Sequence, residues 1–238
     1  MKLFWKISLF ITMLYAIIAG ITYQIVPHPS TWYQFPMIPG LEEKAKIIFY
    51  HVPTAWLASL SYMIAMIYGI KYLRKENLDD DAKSNAALQL GFMFTVLATV
   101  TGSIWAKFSW GAFWHWDPRE TSIFILLLIY GSLFALRSAI ENEDKRAKLS
   151  AVYSIIAFLT VPFFVFIMPR IMTGLHPGSA DDTNAGPVVD FKMNGNMMIV
   201  FYVSLIAFTI LYFWMWKLSY KSMIIKDKLS KNLIRSDV

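Results

Sequence analysis

Cysteine is missing altogether from the 238 residues. Disulfides and thiolate metal sites are thereby excluded, as is the C-x-x-C-H signature of covalent haem attachment. There is no G-x-x-x-x-G-K-[ST] phosphate loop either, so work driven through such a loop would have to come from a partner. Charge is scarce as well. Charged residues make up 16% of the chain and hydrophobic ones 57%, against about 25% and about 45 to 50% in soluble domains. An ordinary soluble domain is excluded and an integral membrane protein is expected.

What is present is apolar sequence in six runs, each near the length of about 20 residues that crosses a hydrocarbon core. The runs are residues 7–26, 47–70, 86–105, 121–136, 149–169 and 197–216, and none contains Lys, Arg, Asp or Glu. That fits a cost of roughly 2.5 to 3.5 kcal/mol for a charge at the bilayer centre. The expected fold is an all-α integral membrane bundle of six transmembrane helices. The first run follows Lys2 and Lys6 but is long and lacks an A-x-A-like cleavage site, so it reads as an uncleaved helix. Pro162 is expected to kink the fifth helix. Polar connections are expected at 71–85 and 137–148. A loop rich in proline and aromatics should lie at the membrane surface over 27–46, and the glycines and prolines between Arg170 and Pro187 predict turns.

Sixteen of the 22 lysines and arginines fall at the amino terminus, in the segments 71–85 and 137–148, and from Lys217 onward. The positive-inside rule then puts both termini in the cytoplasm. The net charge of +6 is accounted for by anchoring and calls for no nucleic-acid partner. Residues 1–216 read as the membrane domain and 217–238 as a basic cytoplasmic tail. The tail mixes lysine with apolar residues and is expected to lie on anionic lipid, with docking onto a cytoplasmic partner as the alternative.

In this orientation all four histidines, His28, His51, His115 and His176, fall on or near the outer side. Four of the nine tryptophans lie between Trp105 and Trp116, in a tryptophan-rich outer loop expected between helices 3 and 4. Imidazoles beside such a platform suit iron, and His51 and His176, from separate elements, could approach it from opposite faces of a porphyrin. The alternative is that His51 hydrogen-bonds at the interface and His176 is a turn residue before Pro177. Trp110, Trp114 and Asp117 would share a face if the stretch were helical, and Gly111 would let a flat ligand approach the backbone. In D-P-R-E, Asp117, Pro118 and Glu120 have the capping-box pattern that starts a helix. Capping has no use for Arg119, which with Arg170 and Lys107 could pair with carboxylates or anchor at the interface.

The run W-G-A-F-W-H-W-D-P-R-E-T-S, with H-V-P-T-A-W in the second span and G-L-H-P-G after the fifth, resembles the haem-handling proteins of cytochrome c biogenesis. Among them the six spans most resemble the haem exporter protein C (CcmC) family. The resemblance implies haem b as cofactor, with His51 and His176 as axial ligands to the iron. It further implies a haem-contacting platform of Trp110, Gly111, Trp114, Trp116 and Asp117. Also implied are a site facing the periplasm of the bacterial inner membrane, delivery to a periplasmic haem chaperone (CcmE), a small membrane subunit (CcmD) and ABC transporter subunits (CcmA and CcmB). Such a chain would present or transfer haem and would not be a stand-alone enzyme. W-D-P-R-E is also similar to the CcsA and CcmF branches, which ligate haem to apocytochrome. A haem transporter and an electron-carrying b-type cytochrome are the remaining readings.

Overall fold

The computed structural model describes residues 4–177, 179–180, 193 and 195–236. Helix α1 (Phe4–Thr22) leads into two short strands, β1 (Gln24–Val26) and β2 (Gln34–Pro36). These pair in parallel with Ile25 opposite Phe35. A 3-10 turn (Glu42–Ile47) precedes α2 (Ile48–Lys75), followed by α3 (Leu78–Trp110), α4 (Pro118–Ser138) and α5 (Glu143–Pro162). A π-turn (Phe163–Ile167), a short α6 (Met168–Ile171) and a long α7 (Gly195–Ser236) complete the order. Among the described residues six helical stretches are long and apolar enough to cross a membrane, as the apolar runs predict.

The first run departs from expectation, since α1 stops at Thr22 and residues 24–26 form β1. Most of the other helices outlast their runs at the polar ends, because bilayer thickness limits apolar length and not helix length. The polar segment 71–85 reduces to a turn at Glu76 and Asn77. There the Asn77 side chain accepts from the Asp79 N–H at 2.9 Å and Asp79 to Asp81 fill the first turn of α3. The segment 137–148 shrinks in the same way, because Asn142 accepts from the Lys145 N–H at 2.8 Å and starts α5. Side-chain acceptors and acidic residues suit a helix N-terminus, where backbone donors lack partners. Pro162, where a kink is expected, is followed directly by a π-turn, a local irregularity of the kind that accompanies helix kinks. The turns expected beyond Ala180 lie outside the described residues.

Helix α2 is packed by α3, α5 and α7, and α1 leans on α7. Small residues and hydroxyls hold these contacts, as they do where lipid removes the hydrophobic drive between helices. The Tyr62 ring stacks on Tyr130 with centroids 3.5 Å apart, and its hydroxyl is 2.8 Å from Thr95 Oγ1. A Cβ at Gly91 would stand 2.7 Å from the Tyr62 ring, so that helix crossing needs glycine. Ser61 donates to the Ala87 carbonyl at 2.7 Å, and its oxygen accepts from the Tyr212 hydroxyl at 3.0 Å, tying α2, α3 and α7 together. Arg137 at the end of α4 grips Asp81 with two bonds of 2.8 and 2.9 Å.

Residues 217–236 continue α7 without a break. At 1.5 Å per residue the 42 residues of α7 reach about 63 Å, twice the hydrocarbon thickness of about 30 Å. Lys231 meets Glu143 at 3.3 Å, which steadies the extension beside the start of α5.

Candidate functional site

His51 lies in the first turn of α2, a turn shaped by Pro53. Proline has no N–H to offer the carbonyl four residues back, and the freed Phe49 carbonyl instead accepts from the Ser204 hydroxyl of α7. This first turn is thereby pinned to α7. His51 Nδ1 is 3.0 Å from Thr101 Oγ1 on α3. The Thr101 hydroxyl donates to the Leu97 carbonyl at 2.8 Å, so its oxygen accepts and His51 Nδ1 carries the proton. Nε2 keeps its lone pair. A Cβ at Gly102 would stand 3.0 Å from His51 Cε1, so the ring is seated directly on the α3 backbone.

His176 sits in the loop after α6, and Asp117 holds it there. One Asp117 oxygen caps α4 by accepting from the Arg119 N–H at 2.9 Å. The other accepts from the Leu175 N–H at 2.7 Å and from the His176 N–H at 3.4 Å. A Cβ at Gly174 would come within 2.6 Å of that second oxygen, so the approach needs glycine. Glu120 completes the capping box and also accepts from the His115 N–H at 2.6 Å. The helix start read from D-P-R-E is therefore present, with a tertiary role for Asp117 that spacing did not disclose.

His176 Nδ1 lies 2.9 Å from the Pro177 carbonyl. A carbonyl only accepts, so Nδ1 is the protonated nitrogen and Nε2 again holds the lone pair. The ring keeps some solvent contact, but the protein packed around it, helped by the Arg119 charge, pushes its pKa down to about 3. Both histidines thus present the basic nitrogen that a metal requires, each with its other nitrogen fixed by a hydrogen bond.

The tryptophan stretch divides differently from the expected loop. Helix α3 runs on through Trp110 and ends at Gly111, whose φ of +92° makes a left-handed cap. Such a cap favours glycine, and the space where a Cβ would stand is open. Because the helix stops there, Trp110, Trp114 and Asp117 do not share a helical face. Trp110 and Trp105 meet edge to face at 4.9 Å, and both lie against His176, with ring centroids 6.4 and 5.9 Å away. Trp114 and Trp116 pack on each other and on Phe124 of α4. Trp116, 65% exposed with φ +57°, faces outward. The His115 and Trp110 ring centroids are 5.8 Å apart, while His28 is exposed between β1 and β2.

Arg119 lies close enough to act electrostatically on His51 and His176, and Arg170 acts on Arg119. Arg119 Nε and Nη2 and Arg170 Nε are buried without a hydrogen-bond partner among the described residues. Buried guanidinium donors left unmet are costly. Asp117 offsets part of the Arg119 charge and Arg170 Nη1 donates to the Phe166 carbonyl at 2.7 Å, which leaves the remaining donors suited to an anion. Lys107 is engaged elsewhere, donating to the Gly111 carbonyl at 2.8 Å. Among the described residues no group of three or more His, Cys, Asp and Glu side chains could hold a bare metal ion. Two imidazoles suit an iron that already has four ligands, as in a porphyrin, and the two guanidiniums suit its carboxylates. Sequence reasoning counted Trp105 in the tryptophan stretch but not among the platform residues, and it missed the supporting Thr101, Gly102 and Ser204. Only Gly102, a glycine inside an apolar helix, carried a signal.

A model of one family, described as Heme exporter protein C (CcmC), matches residues 3–235. The chain is 32% identical over 167 residues to the Heme exporter protein C of Bradyrhizobium diazoefficiens, covering 70% of this chain and 62% of that protein. With the Heme exporter protein C of Paracoccus denitrificans it shares 33% identity over 135 residues, covering 57% of this chain and 56% of that protein. The Cytochrome c biogenesis protein CcsA of Fagopyrum esculentum is 30% identical over 116 residues, 49% of this chain and 35% of that protein. The matched segments span 62% and 56% of the lengths of the first two relatives.

Proposed function

The chain belongs to the Heme exporter protein C family, and from that premise we propose that it is a haem-presenting membrane component of cytochrome c biogenesis. It holds haem b between His51 and His176 at the periplasmic face of the bacterial inner membrane and delivers it to a periplasmic chaperone of the CcmE kind. A CcmD-like membrane subunit and ABC transporter subunits of the CcmA and CcmB kind are its associates. The ABC subunits supply the nucleotide chemistry for which this chain has no phosphate loop. Both termini and the lysine-rich turns face the cytoplasm. Residues 1–216 hold the site and 217–238 form a cytoplasmic extension.

One observation carries this reading. Two imidazoles from different elements, each with a hydrogen bond at Nδ1 that leaves the lone pair on Nε2, stand near a pair of guanidiniums with buried, unmet donors. Haem, when bound, would supply an iron that takes imidazole ligands and two carboxylates that take guanidinium donors. The chain's own groups do the rest. His51 and His176 offer Nε2 lone pairs, and Arg119 and Arg170 orient the carboxylate edge. Trp105 and Trp110 wall the His176 side, Asp117 keeps the His176 loop docked, and Trp114 and Trp116 extend the platform outward along with Gly111.

The purified protein from haem-replete cells should show a b-type absorption spectrum that His51→Ala or His176→Ala largely abolishes. Wild-type protein carrying no haem would overturn the reading. A haem-ligating CcsA-like role is less favoured, because the similarity to CcsA covers about half of this chain while the exporter family spans nearly all of it. Transport of haem through the bundle is less favoured because the apolar runs lack charged residues. Electron transfer is disfavoured by a single site on one face.

A further inference from the structure

The end of α7 opposite the histidines has two unlike faces. Tyr220, Met223, Ile224 and Asp227 are partly covered. On this side Trp216 donates to the Lys83 carbonyl at 3.0 Å, Met223 receives a contact from Asn85, and Lys231 reaches Glu143. The opposite face carries Leu218, Ile225 and Leu229, which are 57, 58 and 57% exposed. Spacings of seven and four residues align these three in one stripe. Exposed Lys217, Lys221, Lys226 and Lys228 flank it. Asp227, the one acidic residue between 217 and 233, lies on the covered side and pairs with Lys231 at 2.9 Å.

Lipid is a poor occupant for this stripe. Trp216 ends the apolar run, and Leu229 lies thirteen residues further along an unbroken helix, about 20 Å away at 1.5 Å per residue. The headgroup zone adds only about 5 to 8 Å beyond the hydrocarbon. A second copy of the same face would bring four lysines against four, and like charges flanking an apolar seam oppose pairing. We propose that this stripe docks an amphipathic helix of a partner protein whose apolar seam is flanked by acidic residues.

The test uses the full chain in nanodiscs of uncharged phosphatidylcholine and two fluorescent helical peptides. Both peptides carry leucine at heptad positions a and d, one with glutamate and the other with lysine at e and g. The acidic peptide should bind at least tenfold more tightly than the basic one by anisotropy, and an Ile225→Glu/Leu229→Glu variant should lose at least tenfold. A Lys221→Glu/Lys228→Glu variant should reverse the preference, a gain of binding that misfolding would not produce. Equal or absent binding of the two peptides overturns the proposal. So does a wild-type dimer in sedimentation that Ile225→Glu/Leu229→Glu converts to monomer, or burial of a spin label at position 225 in anionic bilayers.

Discussion

Replacing Asp117 by serine separates its two duties. The serine hydroxyl still accepts a backbone N–H and remains a good helix cap, so α4 should start as before. It has only one acceptor atom and is shorter, so it loses the second oxygen that receives the Leu175 and His176 N–H groups at 2.7 and 3.4 Å. A hydrogen bond to a charged group contributes about 1.5 to 3 kcal/mol, and leaving a buried N–H unmet costs about 1 to 3 kcal/mol. These overlap, and we take about 3 kcal/mol as the cost of undocking the loop. At 1.4 kcal/mol per tenfold change, haem affinity should fall about a hundredfold. Haem titration of the apoprotein, followed in the Soret band, measures this. The spectrum of Asp117→Ser should approach that of His176→Ala while helix content by circular dichroism stays unchanged. Affinity within about twofold of wild type would refute the reasoning, because the carboxylate would then serve only as a cap.

Arg119→Gln should weaken haem binding by about ten- to a hundredfold through the loss of a charge-assisted contact. Haem dimethyl ester, which lacks the carboxylates, should bind wild type and variant alike, as titration of both would show. Asp81→Asn leaves Arg137 without its bidentate acceptor, and breaking a buried pair costs about 3 kcal/mol. Thermal unfolding in detergent should fall while the haem spectrum is unchanged. His176 stays neutral in the folded chain down to about pH 3 but titrates near 6.5 when unfolded. The unfolded state therefore binds the extra proton as pH falls below 6.5, and apoprotein stability should drop by up to about 1.4 kcal/mol per pH unit between 6.5 and 3. Unfolding midpoints from pH 7 to pH 5 should show a shallower decline in His176→Gln.

The six spans were legible because apolar length answers directly to bilayer thickness. Their helical ends were not, since Asn77 and Asn142 start helices among residues too polar for the membrane. His51 and His176 were legible through the motifs around them. The hydrogen bonds that fix their tautomers were not, because Thr101 lies fifty residues from His51 and no local pattern joins them. Asp117 shows the limit most plainly. The pattern D-P-R-E discloses the oxygen that serves its own helix, whereas the oxygen that serves Leu175, 58 residues away, leaves no trace in spacing. The tryptophans appeared as one shelf because their split depends on where the helix ends, and that rests on the backbone angle of Gly111.

The two imidazoles are mounted with unequal stiffness. His51 belongs to a 28-residue helix, its turn pinned by Ser204 and its ring seated on Gly102. His176 rides on a loop that one carboxylate oxygen ties to α4. On the proposed reading, a ligand between them would meet an anvil on one side and a tethered jaw on the other, and losing the Asp117 contact to Leu175 and His176 would slacken the His176 side first.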